Sequence, residues 1–98
     1  MNALELLFRG RLGPLAATEI VVSDDSHAHA GHAGNTGGGH LSAKIVSQQF
    51  TGLNTVARHR AVYALVADLM PHTIHALSLT VLTPDEAKNA SLPPNHNT

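Results

Sequence analysis

The fold predicted for this 98-residue chain rests on residues 50–79, which read Phe50-Thr51-Gly52, Asn54-Thr55-Val56-Ala57-Arg58-His59-Arg60-Ala61-Val62-Tyr63 and Ile74-His75-Ala76-Leu77-Ser78-Leu79. A glycine turn opens a helix whose first half carries Arg-His-Arg. This helix is predicted to run to Met70, because Pro71 cannot continue it. An apolar strand, Ile74 to Leu82, follows, with His75 at its second position.

The remaining elements are predicted from the spacing of apolar residues along the chain. A helix over residues 2–12 has an apolar stripe formed by Leu4, Leu7, Phe8 and Leu12. Strands are predicted over residues 18–23 and 41–47. A turn or the start of a short helix is predicted at Thr83-Pro84-Asp85-Glu86.

This order of elements predicts an α/β (α+β) fold, in which helices cover one face of a three-stranded mixed sheet. The order is α-β-β-α-(short helix)-β-(short helix). The first two strands are expected to form an antiparallel hairpin, and the third to pair parallel to one of them. Residues 1–87 form the predicted domain. Residues 88–98 are predicted to be a disordered tail, because they contain almost no large apolar side chains.

Composition argues against several classes of function. Six Lys and Arg against seven Asp and Glu give a formal charge of −1, whereas nucleic-acid-binding domains usually have a basic excess. The chain has no cysteine, which excludes disulfides and any thiolate site of its own. It shows no secretion signal and no apolar run of the ~20 residues that a membrane helix needs, which predicts a cytoplasmic protein without a membrane partner. No nucleophile elbow, phosphate loop or dinucleotide glycine pattern is present, so no enzymatic activity is expected.

Histidine is unusually frequent, with eight residues, and His27, His29 and His32 lie close together in a small, polar, glycine-rich segment. Imidazole binds Zn, Cu, Ni and Fe, so several within reach of one another can form a metal site. A polar flexible linker, or opportunistic metal binding without a physiological role, explains the same pattern. The spacing alone does not choose between these interpretations.

His75 is the second candidate ligand. A lone histidine on a strand is more often a structural residue than a ligand. His75 therefore needs a second ligand nearby before a metal-binding role is favoured. By simple alternation its side chain shares a face with Leu77, Leu79 and Val81. The segment that carries His27 to His32 can supply a partner if it folds back over the edge of the sheet.

Arg58, His59 and Arg60, after the turn at Gly52, are a candidate partner or nucleic-acid face. Arginines near a helix N-terminus can hold phosphates. The alternative is that Arg58 pairs with an acidic residue and His59 packs its ring. Helical projection places Arg58 and His59 close to packed structure and Arg60 in water.

Several linked motifs together resemble the BolA family, over residues 4–86. They are Asp24-Asp25-Ser26, His29, His40, Ile45-Val46-Ser47, Phe50-Thr51-Gly52, Arg58-His59-Arg60-Ala61-Val62-Tyr63, Ile74-His75-Ala76-Leu77-Ser78 and Thr83-Pro84-Asp85-Glu86. The chain differs from the family pattern at Leu41, where an aromatic residue is usual, at Gly37-Gly38-Gly39, and in having no tryptophan after Glu86. The resemblance implies a fold like that of class II K-homology domains.

The resemblance also implies a function. BolA proteins pair with monothiol glutaredoxins of the Cys-Gly-Phe-Ser type, and the heterodimer shares or exchanges a two-iron, two-sulfur (2Fe-2S) cluster, with glutathione as a further ligand. By position, His75 and His29 are the expected ligands from this chain, and His27 and His32 are neighbouring alternatives. The isolated chain is expected to be a monomer without a cofactor. Such an adaptor would act in iron–sulfur trafficking or in iron and redox regulation.

Two rival functions remain open on the sequence. Some BolA proteins bind promoter DNA through the K-homology-like face, which here would be Gly52 and the start of the helix with Arg58, His59 and Arg60. A transcriptional regulator is therefore the main alternative. The third possibility is that the histidine-rich segment binds Zn or Cu by itself.

Overall fold

A computed structural model describes residues 2–25 and 39–90, and it has the predicted order of elements. The elements are α1 (Ala3–Arg11), a 3₁₀ turn (Gly13–Leu15), β1 (Glu19–Asp24), β2 (Gly39–Val46), a 3₁₀ turn (Gln48–Phe50), α2 (Thr55–Val66), a 3₁₀ turn (Ala67–Leu69), β3 (Ile74–Leu82) and α3 (Pro84–Ala90). The bounds of β3 coincide with the prediction. In the described residues no helix is long and apolar enough to cross a bilayer.

The first helix is defined by its cap and its apolar stripe. The side chain of Asn2 accepts a hydrogen bond from the amide of Glu5, and the Glu5 carboxylate accepts one from the amide of Asn2. This reciprocal pair satisfies amides that a helix N-terminus leaves without partners. Phe8 and Leu12 are buried in the core, and Leu4 packs against it. Leu7, also predicted for this stripe, is 39% exposed, so three of the four predicted residues face the core.

The three strands form one mixed sheet in the order β1-β2-β3. β1 and β2 are antiparallel, and β2 and β3 are parallel. Both predicted pairings are confirmed, and β2 is the central strand. It begins at Gly39, two residues before the predicted start at Leu41.

One face of the sheet packs against α1 and α2. The core joins alternate residues of β2 to apolar side chains from the helices and turns, namely Leu41, Ala43, Ile45, Phe8, Leu12, Leu15, Phe50, Val62, Val66, Leu69, Ile74 and Val81. The opposite face carries polar side chains such as Ser42 and Thr80, together with the half-exposed Val21. The predicted single covered face is therefore confirmed.

The second helix ends earlier than predicted. It was expected to reach Met70, but the α-helix ends at Val66 and a 3₁₀ turn follows. A proline ring clashes with the carbonyl four residues earlier, here that of Ala67, so an α-helix cannot extend to Pro71. The tighter 3₁₀ turn ends the element instead. The Met70–Pro71 peptide bond is cis.

The last helix starts at the predicted turn and is longer than expected. Thr83 and Glu86 form a reciprocal cap, in which the Glu86 amide donates to the Thr83 hydroxyl and the Thr83 amide donates to the Glu86 carboxylate. Pro84 occupies the first helical position, where its missing amide hydrogen costs nothing. α3 continues to Ala90, three residues beyond the predicted domain end at residue 87. Residues 91–98 lie outside the described residues.

Gly39 is expected to be sensitive to substitution. A Cβ atom there would overlap Cδ2 of Leu4 and lie 3.4 Å from the carbonyl oxygen of Thr73. Gly39→Ala should lower the free energy of unfolding by about 1–3 kcal/mol, because the Leu4 side chain must move within a packed site. Urea denaturation followed by circular dichroism measures this.

Gly10→Ala is the matched control, since nothing lies within 4 Å of a Cβ at residue 10. In the interior of α1 it should leave stability unchanged or raise it by up to about 1 kcal/mol. Equal losses for the two variants would contradict the close packing of Leu4 against Gly39.

Candidate functional site

His75 lies at an irregularity of the sheet. Gly39 pairs with Ile74, whereas the next residue of β2, His40, pairs with Ala76. His75 is therefore an extra residue in β3, which is the definition of a β-bulge. The prediction from simple alternation, that His75 shares the face of Leu77, is wrong because the bulge interrupts the alternation. His75 is exposed.

The bulge brings His75 against His40. Their ring centroids are 5.3 Å apart, and the ring planes are inclined by 44°. His40 is partly exposed and has the parity of Ser42 and Lys44, so it belongs to the polar face of the sheet. Because β2 and β3 are parallel, their first residues lie at the same end of the sheet, and this end is the candidate site.

His40 was not among the candidate ligands chosen from the sequence. It was recognised only as a family motif residue before the second strand. The parallel pairing of the second and third strands would have identified it, since this pairing places both strand starts side by side. Residue spacing alone does not decide which of the first two strands the third strand joins.

The ends of the histidine-rich segment lie at this same site. The amide of Asp25 donates to the carbonyl of His40 over 2.7 Å, and the amide of Gly39 donates to the carbonyl of Thr73 over 2.9 Å. Residues 26–38, which include the predicted ligands His27, His29 and His32, lie outside the described residues. Their two points of attachment, Asp25 and Gly39, are both next to the His40–His75 pair.

The carboxylate of Asp25 is held by hydroxyl groups of the sheet. Its Oδ1 accepts a hydrogen bond from Ser23 (2.9 Å) and its Oδ2 accepts one from Ser42 (2.7 Å). Asp24 accepts a hydrogen bond from the side-chain amide of Asn2. These contacts fix the end of β1 beside His40. Residues 2–25 and 39–90 contain no group of three His, Asp or Glu side chains that could hold a metal ion.

Arg58 makes structural contacts within the chain. Its Nε donates to the carbonyl of Leu53 (2.8 Å) and its Nη1 to the carbonyl of Val81 (3.1 Å). Nη1 and Nη2 also donate to the two carboxylate oxygens of Glu86. The Arg58 side chain is only 11% exposed, and its guanidinium lies over the ring of Phe50, 6.0 Å from the centroid. Arg58 is therefore paired with an acidic residue, which is the second of the two roles that the sequence allows for it.

The other residues of the Arg58–Tyr63 motif differ in their surroundings: His59 and Tyr63 make contacts within the chain, and Arg60 is exposed. Nδ1 of His59 lies 2.8 Å from the carbonyl of Thr55; a carbonyl can only accept, so Nδ1 carries the proton in this contact. Tyr63 donates its hydroxyl proton to the carbonyl of Leu77 over 3.0 Å. Arg60 is exposed, as predicted, and Gly52 is exposed with φ of 83°, a conformation that favours glycine.

The motif thus positions β3. Arg58 binds the carbonyl of Val81 near the end of this strand, and Tyr63 binds the carbonyl of Leu77 nearer its start. Val62, between them in sequence, is fully buried in the core. These contacts join α2 to β3, the strand that begins with Ile74 and His75. The residues from Arg58 to Tyr63 therefore help to hold this strand in place without being part of the candidate site.

The Arg58–Glu86 pair should make stability depend on pH in acid. Hydrogen bonds from Arg58, and then from the Thr83 amide, lower the pKa of Glu86 from 4.5 to about 2. A carboxyl with a lowered pKa in the folded state adds stability above its unfolded pKa, and this stability is lost as pH falls through the folded pKa. The contribution should therefore be complete above pH 4.5 and disappear on approach to about pH 2.

Glu86→Gln should lower the thermal midpoint at pH 7 and flatten its decrease between pH 4.5 and about 2. Thermal unfolding at a series of pH values measures this. Asp85→Asn, at the exposed neighbouring position, is the control. If the thermal midpoint decreased with falling pH in the same way for Glu86→Gln and the wild type, the Arg58–Glu86 pair would not be the cause of the acid dependence.

The comparisons with known proteins identify the family. A family model described as BolA-like protein matches residues 13–86. The chain belongs to the BolA-like family. It is similar to the protein BOLA1, chloroplastic, of Arabidopsis thaliana, with 44% identity over 77 residues that cover 74% of this chain and 48% of that protein.

Two further relatives of this BolA-like chain are informative. The DNA-binding transcriptional regulator BolA of Haemophilus influenzae is 35% identical over 76 residues, which cover 76% of this chain and 72% of that protein. The solved BolA domain of SufE1 from Arabidopsis thaliana superimposes with a TM-score of 0.74 at 38% identity, over 88% of this chain and 98% of that one. The chain spans about half the length of its chloroplastic relative. The family and the mixed α+β fold inferred from the sequence are both confirmed.

Proposed function

We propose that this BolA-like protein is a non-enzymatic adaptor that pairs with a monothiol glutaredoxin and contributes histidine ligands to a shared 2Fe-2S cluster. His75 is the first ligand, and His29 is the second. Family membership supports the proposal. The observation that carries it is the exposure of His75 at a bulge beside His40, close to Asp25 and Gly39, where residues 26–38 are attached.

The second ligand is within reach of this site. His29 follows Asp25 by four residues, and four extended residues span at most ~14 Å. Asp25 is hydrogen-bonded to the main chain of His40, whose ring contacts that of His75. The number of residues between Asp25 and His29 therefore allows His29 to approach His75. The distances of His27 and His32 from Asp25 are limited in the same way by the number of residues between them.

If this chain binds an iron–sulfur cluster, its donor set requires that the cluster be shared with a partner. Iron–sulfur clusters are usually held by thiolates, and the chain has no cysteine. A partner cysteine and glutathione would supply the sulfur ligands, and imidazoles from this chain would bind the other iron. Neutral imidazole in place of thiolate makes a cluster less negative and raises its reduction potential. The adaptor and its glutaredoxin partner would use this cluster for iron–sulfur trafficking or for iron and redox regulation.

Co-expression with a Cys-Gly-Phe-Ser glutaredoxin tests the proposal. The wild type is expected to give a coloured heterodimer whose visible absorbance and circular dichroism differ from those of the glutaredoxin alone. The double variant His75→Ala/His29→Ala should lose this spectrum, since the second iron loses both imidazoles. His72→Ala, an exposed histidine in the turn before β3, is the matched control. An unchanged spectrum in the double variant would contradict the ligand assignment.

DNA binding is the second candidate function, and the name of the Haemophilus influenzae relative favours it. The exposed residues available for phosphate contacts in the predicted face are Gly52 and Arg60. Arg58, also predicted for this face, donates to Glu86 and to two carbonyls of its own chain. Binding through this face would therefore depend on Arg60 and on protonated histidines, and should be weak at neutral pH.

Gel shifts at pH 6 and pH 7.5 over a salt series test DNA binding. If Arg60 contacts a phosphate, Arg60→Gln should weaken binding for all sequences and reduce the salt slope by about 1. Arg9→Gln on α1 is the control for loss of a positive charge elsewhere. Affinity that does not respond to pH, salt or Arg60→Gln would exclude this electrostatic mode.

A further inference from the structure

The two edges of the sheet differ in whether their outward main-chain groups are already bonded. At the β3 edge, Tyr63 of α2 donates its hydroxyl proton to the carbonyl of Leu77. Arg58, also of α2, donates to the carbonyl of Val81. These side chains occupy acceptors that an added strand would need. The other edge of the sheet is β1, so β1 is the edge at which a further strand can pair.

The main-chain groups at the outer edge of β1 include those of Ile20 and Val22. Asp25 and His40 continue the antiparallel register of β1 and β2, and the amide of Asp25 donates to the carbonyl of His40. Residues paired in this way alternate with residues whose main-chain groups point away from the partner strand. Residues 19, 21 and 23 therefore bond to β2, whereas Ile20 and Val22 point outward. Within residues 2–25 and 39–90, no hydrogen bond is present on the outward side of these two residues.

The sequence of β1 lacks the features that protect an exposed edge. The strand Glu19–Asp24 contains no lysine and no proline, and its register with β2 is regular from end to end. Lysine, proline and bulges are the usual devices against unwanted pairing. Val21 is 50% exposed, and Ile20 and Val22 are partly exposed. Three consecutive β-branched apolar residues beside unbonded main-chain groups favour pairing with another strand.

An antiparallel second copy of β1 fits this edge. When Val21 lies opposite Val21 of the second copy, Ile20 lies opposite Val22, and these outward residues exchange main-chain hydrogen bonds. The exposed Val21 side chains then cover each other. Glu19 lies opposite a serine, Ser23, and its carboxylate is already 3.6 Å from Nζ of Lys44 on β2. No like charges are opposed in this register.

The neighbouring two-fold registers fit less well. Centring the pair on Val22 would place Glu19 opposite Asp25 of the second copy, and like charges opposite each other are destabilising. Centring it on Ile20 would place Val22 opposite Thr18, whose amide already donates to β2. Charge and hydrogen bonding therefore favour the register centred on Val21.

We propose that this chain forms a two-fold dimer in which β1 pairs with β1 of a second copy, centred on Val21. This differs from the monomer expected from the family resemblance. The two sheets join into one, with β3 as the outermost strand on each side, so His75 stays exposed in both copies. The contact uses neither His75 nor residues 26–38, so it is independent of the proposed function. Interfaces below ~1,200 Å² are typical of transient complexes, so this dimer should dissociate on dilution.

Sedimentation velocity of the full chain over a concentration series tests the dimer. The wild type is expected to change from monomer to dimer between about 10 μM and 1 mM. Val21→Lys should weaken the dimer at least about tenfold, because two like charges then meet at the two-fold axis. Val56→Lys on α2 is the matched control, since Val56 is 57% exposed and Val21 50%. It should dimerise as the wild type does.

A mixing experiment separates loss of pairing from loss of folding. Val21→Glu alone should also be monomeric, but an equal mixture of Val21→Lys and Val21→Glu should form a heterodimer, because opposite charges then meet at the axis. The proposal is overturned if the wild type stays monomeric up to about 1 mM, or if Val21→Lys and Val56→Lys weaken the dimer equally. It is also overturned if the mixture associates no more than its components do. No glutaredoxin is present, so none of these results bears on the shared cluster.

Discussion

Replacing Phe50 with alanine is expected to lower the free energy of unfolding by about 3–5 kcal/mol, as for other large aromatic-to-alanine changes in a core. The ring is fully buried, and the Arg58 guanidinium lies over one side of it. Domains of this size have total stabilities of about 5–15 kcal/mol, so the variant should be close to unfolding at 37 °C. Urea denaturation at 25 °C measures the loss.

Val56→Ala is the control for this prediction, because Val56 is 57% exposed on the first turn of α2. Its effect should lie within about ±0.5 kcal/mol. A loss for Phe50→Ala no larger than that for Val56→Ala would contradict the position of Phe50 in the core. Packing of Phe50 in the core would then not explain the Phe50-Thr51-Gly52 motif.

Replacing His75 with cysteine is expected to change the cluster rather than abolish it. A thiolate can bind iron in place of the imidazole, but it adds a negative charge to the cluster. Clusters with two histidines have potentials of about −150 to +300 mV, against about −400 mV for all-cysteine plant-type ferredoxins. One substitution out of two should therefore lower the potential by on the order of 100–300 mV.

Anaerobic redox titration of the heterodimer, followed by visible circular dichroism, measures this shift. His72→Cys places the same new thiol three residues away and should leave the potential unchanged. The same small change in both variants would mean that residue 75 does not bind the cluster. Loss of the cluster in His75→Cys alone, with the heterodimer intact, would show that the site does not accept a thiolate and would contradict this prediction.

The elements were predictable where local signals agree. The cap at Asn2, the apolar stripe around Phe8 and the alternation of β2 each depend on neighbouring residues, and all three are present in the structure. β3 was bounded by the turn after Pro71 and by Thr83, both of which are strong local signals. Periodicity is a property of the sequence itself, so it can be read before the fold is known.

The candidate site was less predictable because it depends on pairing between distant segments. The bulge at His75 exists only relative to β2, and the contact with His40 requires the parallel register. The partner of Arg58 is 28 residues away, at Glu86, so the motif alone could not show whether its charge was paired. The sequence motifs identified histidines and arginines as the residues of interest. The register between β2 and β3 determines which histidines are in contact.

The most direct test of the shared-cluster proposal is pulsed EPR of the reduced heterodimer, with ¹⁵N-labelled histidine introduced only into this chain. We predict strong couplings from two imidazole nitrogens, one of which disappears in His75→Cys and remains in His72→Cys. A cluster that assembles in the heterodimer without any strong ¹⁵N coupling would contradict the proposal, because all of its ligands would then come from glutaredoxin and glutathione.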